Sequence, residues 1–343
     1  MILSRRIPAR LVLGFGLPIT LGAMAWAAFV YALHAYAGLG FLRVPFLPIS
    51  TIGTAVAFYV GFKNNSAYER FWEGRKIWGG IVNASRTWAN NVLSYVDVGD
   101  EEGEPGRSTR RELVHRQLAW INALRLQLRR RSRFEDAPAR STRRRLGRHG
   151  SHMRNDWEQE LRSFLSAEEL AEVSRNANPA SHLLLTQGRR LAGLVKAQRL
   201  DLFHQISMME IVRELYDLQG KCERIKATPF PRQYAEYSRV FTRAFTFLVP
   251  FGLLDVFADH VEASMTTLQT LAPIIPMVIA SGLIAWVFTT MEVIGDASED
   301  PFERSMNDVP MNALCRTIEI DLRQMLGETE LPEPEPPVDG ILY

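Results

Sequence analysis

The sequence has few residues that could cross-link the chain or carry out catalysis. Its 343 residues include two cysteines, Cys222 and Cys315, which are too few for a disulfide framework and form no CxxC motif. It contains no P-loop, GxGxxG, HExxH or GxSxG motif, and its seven histidines are scattered. These absences exclude a disulfide-stapled secreted domain and a cysteine zinc site. They give no reason to expect an enzyme, a cofactor or a bound metal.

The sequence also has no large excess of positive or negative charge. Lys and Arg number 40 against 38 Asp and Glu, so the net charge is +2 and no whole-chain polyelectrolyte argument is available. Charged residues make up 23% and hydrophobic residues 47%, both near the globular average, which excludes a disordered or collagen-like chain. These averages hide a strong segregation of charged from apolar residues along the chain.

Four long runs are almost free of charge: Leu11–Gly40, Val44–Phe62, Phe241–Phe257 and Leu268–Met291. About 20 helical residues cross the roughly 30 Å hydrocarbon core of a bilayer, so each run predicts a transmembrane helix. A signal peptide is the alternative for the first run, but its apolar core would end after about 7–15 residues. Buried helices of a large soluble protein are the alternative for all four runs, and the length of the last run argues against them.

Charge also predicts the orientation in the membrane. Arg5, Arg6 and Arg10 precede the first run, whereas the link between the third and fourth runs carries acidic residues and no Lys or Arg. The segment 63–231 holds more basic than acidic residues. Because cytoplasmic loops carry an excess of Lys and Arg, we expect both termini and this segment to be cytosolic, in a multi-pass membrane protein.

Segment 63–231 reads as a helical cytosolic domain. Amphipathic patterns occur at 113–130 and 200–225, and Ser166 with Glu169 forms a capping box. The arginine-rich stretch 129–154 has two interpretations, nucleic-acid binding or an exposed basic loop near the membrane surface. We favour the loop because no aromatic ladder accompanies the arginines, and we expect no nucleic-acid partner.

Three blocks carry a family resemblance. They are GFKNNSAYERFWEGRKIWGGIVNASR at 61–86, GKCERIKATPFP at 220–231 and EDPFERSMNDVPMNALCRTIEIDL at 299–322. In order and spacing they resemble the bacterial branch of the bestrophin family. The resemblance implies an all-α membrane protein with four transmembrane helices per subunit, which continue into a cytosolic helical domain and assemble as a homopentamer around one central pore.

The implied organisation has five parts. They are an N-terminal arm with the first span and pore-lining second span (1–62), a cytosolic helical domain (63–231), the third and fourth spans (232–297), a C-terminal arm that wraps a neighbouring subunit (298–327) and a disordered tail (328–343). The tail prediction rests on the residues themselves: LPEPEPPVDG is rich in proline and acid, which predicts a disordered or extended arm.

The resemblance places a narrow apolar neck at Thr54, Phe58 and Phe62, and a second, cytosolic aperture at Ile206. The spacing supports the neck independently, because positions i, i+4 and i+8 share one helix face. Thr54 replaces the usual aliphatic residue, so we expect a wetter top to the neck. The alternatives are that the phenylalanines face lipid or core, and that Ile206 belongs to a buried stripe.

No calcium clasp is expected. Animal bestrophins place an acidic run after an Asn-Pro-Phe sequence, and calcium takes six to eight oxygen ligands. In the matching stretch, Asp300 to Asp308, Arg304 adds a positive charge while Ser305 and Met306 interrupt the carboxylates. We therefore expect no bound metal or other cofactor.

The resemblance implies a channel for monovalent ions, and its bacterial members favour cations such as sodium. An anion (chloride) channel of the same fold is one alternative, because apolar rings do not select a sign of charge. A membrane-anchored scaffold or assembly factor without conduction is another. The resemblance to the bacterial branch also implies a location in a bacterial inner membrane. The expected partners are the lipid bilayer, further copies of the chain and the permeant ions.

Overall fold

Most of the chain that the structure describes is helical. A computed structural model describes residues 1–3, 9–97, 104–130, 150–257, 274–303 and 305–343. Within these ranges the α-helices are α1 (Ala9–Ala37), α2 (Phe46–Tyr95), α3 (Glu104–Leu128), α4 (Trp157–Leu161), α5 (Ala167–Ser174), α6 (Pro179–Lys196), α7 (Leu202–Ala227), α8 (Arg232–Phe257), α9 (Ile274–Asp296) and α10 (Met311–Met325). The all-α fold class is thereby confirmed for the described residues.

The helices gather in two compact units. The first, which we call the apolar unit, comprises Ser4–Glu69 and Phe230–Glu299. The second, which we call the polar unit, comprises Met1–Leu3, Arg70–Pro229 and Asp300–Tyr343. Helix α2 begins in the apolar unit and ends in the polar unit.

The apolar unit contains the helices that match the uncharged runs. Four helical stretches of the described chain are long and apolar enough to cross a membrane: Gly16–Ala37, Gly40–Tyr95, Arg232–Phe257 and Ile274–Asp296. Helix α1 packs against α8 and α9, and their core includes Val30, Val60 and Leu254. Asp255, the carboxylate within the third run, accepts a hydrogen bond from Arg43 Nε at 2.7 Å.

Glycines allow these helices to approach each other closely. A Cβ atom at Gly282 of α9 would lie 2.5 Å from Met24 Cγ of α1, and one at Gly53 of α2 would lie 2.6 Å from Phe245 of α8. Neither position has room for a side chain. Small residues at such contacts let helix backbones pack together where lipid supplies no hydrophobic driving force.

Helix α3 lies at the centre of the polar unit. The amphipathic pattern at 113–130 predicts one solvated face, but every residue from Leu113 to Leu126 is buried. The polar side chains are tolerated there because each has a partner. Gln117 donates to Ser85 Oγ at 3.0 Å, and Arg125 donates to Glu160 Oε2 at 2.6 Å. Paired polar groups avoid most of the cost of burial.

Helix α10 packs on the same chain. Its buried face, made of Met311, Cys315, Ile318 and Leu322, joins the core of the polar unit, where α10 lies against α3. The contact that the C-terminal arm makes with a neighbouring subunit stays a prediction.

Of the two forms predicted for the tail at 328–343, disordered or extended, the structure has the extended one. In the structure this segment is extended and packed: Ile341 and Tyr343 are buried with Met153. Arg154 Nη1 also donates to Glu335 Oε2 at 3.0 Å. Composition left both forms open, because a high proline and acid content does not reveal that Ile341 and Tyr343 are buried or that Arg154 binds Glu335.

Several predicted features lie outside the described residues. They are Arg5 and Arg6, most of the basic stretch (131–149), the acidic Asp259 and Glu262 of the link, and Arg304.

Candidate conduction path

One face of α2 is exposed along its whole course through the apolar unit. Residues on this face recur at three- and four-residue intervals, as expected for one side of a helix. We call this face the α2 stripe; it comprises Leu47, Thr51, Thr54, Phe58, Phe62, Asn65 and Glu69. The opposite face is buried and comprises Val56, Val60, Lys63 and Ala67. The three residues of the predicted neck therefore all lie on the α2 stripe.

The side chains of the two phenylalanines are largely exposed, which is unusual for large apolar residues. Phe58 is 68% exposed and Phe62 is 63% exposed. Their ring centroids lie 5.6 Å apart, so the rings form one continuous aromatic surface. The hydroxyl of Thr54 donates to Ser50 O at 3.0 Å within the same helix. That bond satisfies the hydroxyl hydrogen and leaves the lone pairs of the oxygen free to accept hydrogen bonds.

A buried ion cluster lies directly beside Phe62, and the sequence analysis missed it. Lys63 is fully buried, and its Nζ donates to Glu292 Oε2 at 3.0 Å and to Asp296 Oδ1 at 2.6 Å. The hydroxyl of Ser238 donates to Glu292, and Arg239 Nε lies 3.4 Å from Asp296 Oδ2. One feature of the sequence could have indicated this cluster: Lys63 and Glu292 each directly follow the last residue of an uncharged run.

The next residue strengthens this contact between α2 and α9. Asn64 Nδ2 donates to Met291 O at 3.0 Å. A Cβ atom at Gly295 would collide with Asn64 Oδ1, so glycine is needed for the close approach. Since neighbouring helix residues point about 100° apart, holding Lys63 inside directs Phe62 outward. The cluster thus sets the rotational position of the α2 stripe.

Ile206 lies near the start of α7, in the polar unit. The helix begins at the N-cap Asp201, whose side chain accepts a hydrogen bond from Phe203 N at 2.8 Å. Ile206 is 54% exposed. The buried stripe of the same helix is Met208, Ile211, Val212, Leu215, Leu218, Gln219, Cys222 and Ile225. Ile206 is not part of this core stripe, and its role as an aperture stays a prediction.

The carboxylates of the 300–308 stretch each have a different environment. Asp300 lies 3.5 Å from Arg70 Nη2, and Glu303 is paired with Lys226. Asp308 is buried, and this burial raises the pKa of its carboxyl group to about 6. Within the described ranges, no three His, Cys, Asp or Glu side chains come together as a metal site. The absence of a calcium clasp stays a prediction.

Comparison with known proteins places this geometry in a family. A family model described as Bacterial/Fungal Bestrophin protein matches residues 12–324. A protein of Salmonella typhi named voltage-dependent anion channel-forming protein YneE is 30% identical over 95% of this chain and 89% of its own. The protein of the same name from Escherichia coli K12 is 29% identical over the same shares. A crystal structure of a bacterial bestrophin homologue from Klebsiella pneumoniae is 25% identical, with a TM-score of 0.71 over 93% of this chain and 100% of that one.

Proposed function

The chain belongs to the bestrophin family, and from this premise we propose that it forms a membrane channel for monovalent anions such as chloride. Relatives that match 95% of the chain are named anion channel-forming proteins. Their names support the chloride alternative of the sequence analysis better than its first choice, sodium. The proposal therefore replaces sodium with an anion and keeps the fold.

The observation that carries the proposal is the mixed character of the α2 stripe. On α9, the exposed stripe is wholly apolar, as lipid requires: Ile275, Ile279, Leu283 and Val287. On α2, threonines precede the two phenylalanines, and Asn65 and Glu69 follow them. Ionisable side chains on a membrane helix almost always face a bundle interior or a water-filled cavity. This contrast supports a position for the α2 stripe along an aqueous path rather than against lipid.

One helix cannot enclose such a path, so we propose a homopentamer in which five α2 stripes surround the pore. Thr54, Phe58 and Phe62 then form three stacked rings, which are the neck. A narrow ring of phenylalanines excludes water and closes the path by dewetting, and it opens when the ring widens or the side chains change rotamer. The exposure of both phenylalanines in the single chain supports this assignment.

Ile206 is proposed as the second constriction. Its exposure and its absence from the buried stripe of α7 support a solvent-facing position. The relatives are bacterial proteins, which supports a bacterial membrane as the location, and we keep the expected orientation with both termini in the cytosol. A non-conducting scaffold, the remaining alternative, would not require a bare aromatic stripe in a membrane helix.

Purified protein in planar bilayers tests the proposal. With a tenfold gradient of sodium chloride across the bilayer, we expect a reversal potential displaced toward the chloride equilibrium potential. Replacing chloride with a large organic anion on one side should reduce the current carried from that side. A reversal potential near that of sodium would overturn the anion assignment. Absence of current in both the wild type and Phe62→Ala would overturn conduction itself.

A further inference from the structure

Glu69 is the last residue of the α2 stripe in the apolar unit. It follows Phe62 by seven residues on the same helix face and is exposed. Asn65 Nδ2 donates to Glu69 Oε1 at 2.9 Å, which holds the carboxylate along the stripe. Other carboxylates of this unit, Glu292 and Asp296, have cationic partners. Among the residues that the structure describes, no cation lies within ion-pair distance of Glu69.

We propose that Glu69 is a charge-selectivity residue of the conduction path, one that restrains anions. This inference rests on the proposed function, in which five α2 stripes face one pore. Seven helical residues correspond to about 10 Å, so five Glu69 carboxylates form an acidic ring about 10 Å beyond the Phe62 ring. Five uncompensated negative charges at one mouth lower the local concentration of anions and raise that of cations.

The ring also makes the two ends of the neck unequal. At the Glu69 end of the neck the local concentration of anions is lowered, whereas at the Thr54 end it is not. Anion flux toward the Glu69 side is therefore favoured over flux away from it. The current–voltage relation should rectify accordingly. This effect weakens as salt screens the ring, because the Debye length falls from about 8 Å at 0.15 M to about 3 Å at 1 M.

Bilayer recordings of Glu69→Gln and Glu69→Lys test the proposal. In sodium chloride near 0.15 M, we expect the chloride-to-sodium permeability ratio to rise at least about threefold in Glu69→Gln and further in Glu69→Lys. Rectification should diminish in Glu69→Gln and reverse in Glu69→Lys. At 1 M salt, the difference between wild type and variants should largely disappear. Glu158→Gln, which neutralises an exposed carboxylate on α4, is the matched control and should leave all three readouts unchanged.

The outcomes separate this inference from the proposed function. If the wild type conducts and Phe62→Ala alters its current, but Glu69→Gln leaves permeability ratio and rectification unchanged, the Glu69 assignment is wrong and the neck stands. A change in ratio that persists undiminished at 1 M salt would also overturn it, since a conformational effect is not screened. If the wild type prefers cations, Glu69→Gln should still lower that preference. Absence of any current in all variants refutes the channel itself.

Discussion

Single residues on α2 and α7 divide into those that hold the chain together and those that face away from it. Lys63 and Ile211 are buried, whereas Phe62 and Ile206 on the same helices are more than half exposed. A large apolar side chain that is bare in the single chain contributes little to its folding. Substitution of an exposed residue should therefore change conduction more than stability, and substitution of a buried one should do the reverse.

Phe62→Ala should raise the open probability or the unitary conductance. The ring loses bulk and water-excluding surface, so the dry barrier across the neck becomes wider and wetter. Single-channel recording measures both quantities. Leu283→Ala, which shortens a comparably exposed side chain on α9, is the control and should behave like the wild type. Records of Phe58→Ala and Phe62→Ala that both match the wild type would mean that the neck lies elsewhere.

Ile206 and Ile211 form a matched pair on α7, because the former is 54% exposed and the latter 7%. Truncation of a buried isoleucine to alanine typically costs about 2–5 kcal/mol, so Ile211→Ala should lower the melting temperature distinctly. Ile206→Ala should leave the melting temperature nearly unchanged and alter current or selectivity. A large loss of thermal stability in Ile206→Ala with normal currents would identify it as a packing residue.

Asp308 should make stability depend on pH. Burial raises the pKa of its carboxyl group to about 6, and a hydrogen bond from Ser305 and the positive charge of Arg129 only partly offset that burial. The folded protein therefore binds the proton more tightly than the unfolded chain, whose aspartate titrates near 3.9. The stabilisation is complete below about pH 4 and is lost as the pH rises toward 6.

The test is Asp308→Asn, which keeps the shape and removes the charge. At pH 7 this variant should be more stable than the wild type, by about 2–3 kcal/mol at most. Between pH 4 and 7 its melting temperature should vary less than that of the wild type. Identical pH profiles of melting temperature for the two proteins would show that Asp308 does not titrate in this range.

At the scale of elements, the contact between α2 and α9 decides which way the residues of the proposed neck face. Lys63→Met should destabilise the protein, because it leaves Glu292 and Asp296 without the cation that is buried between them. Removing one partner from a buried ion pair typically costs about 3–5 kcal/mol. Thermal unfolding in detergent measures the loss. Adding Glu292→Gln to Lys63→Met should recover part of it, whereas a double variant as unstable as the sum of both single variants would argue against the cluster.

At the scale of the whole molecule, conduction requires more than one copy of the chain. In the proposed channel five copies of the chain surround one pore, so protein purified in mild detergent should have five times the 38.9 kDa mass of one chain. Native mass spectrometry or mass photometry gives this mass directly. A monomer or dimer would contradict the pentamer and, with it, the rings at Phe58 and Phe62.

The sequence by itself determined the helices, the apolar runs and the spacing of the residues proposed for the neck. These properties depend on neighbouring residues, because helix periodicity and transfer into hydrocarbon act over one or a few turns. The i, i+4, i+8 spacing could therefore place Thr54, Phe58 and Phe62 on one face. The spacing could not decide what that face contacts, because lipid, the protein core and an aqueous pore were all compatible with it.

Only the tertiary structure decided which side of α2 is inside. Lys63 and Glu292 are 229 positions apart in the chain, and the local periodicity of the sequence cannot predict a contact between them. The same holds for Arg125, which is buried against Glu160, and for Ile341 and Tyr343, which pack beside Met153. A charged side chain can be buried, and a proline-rich segment can pack, only when residues distant in the sequence make the contact. The position of those residues is a property of the folded chain.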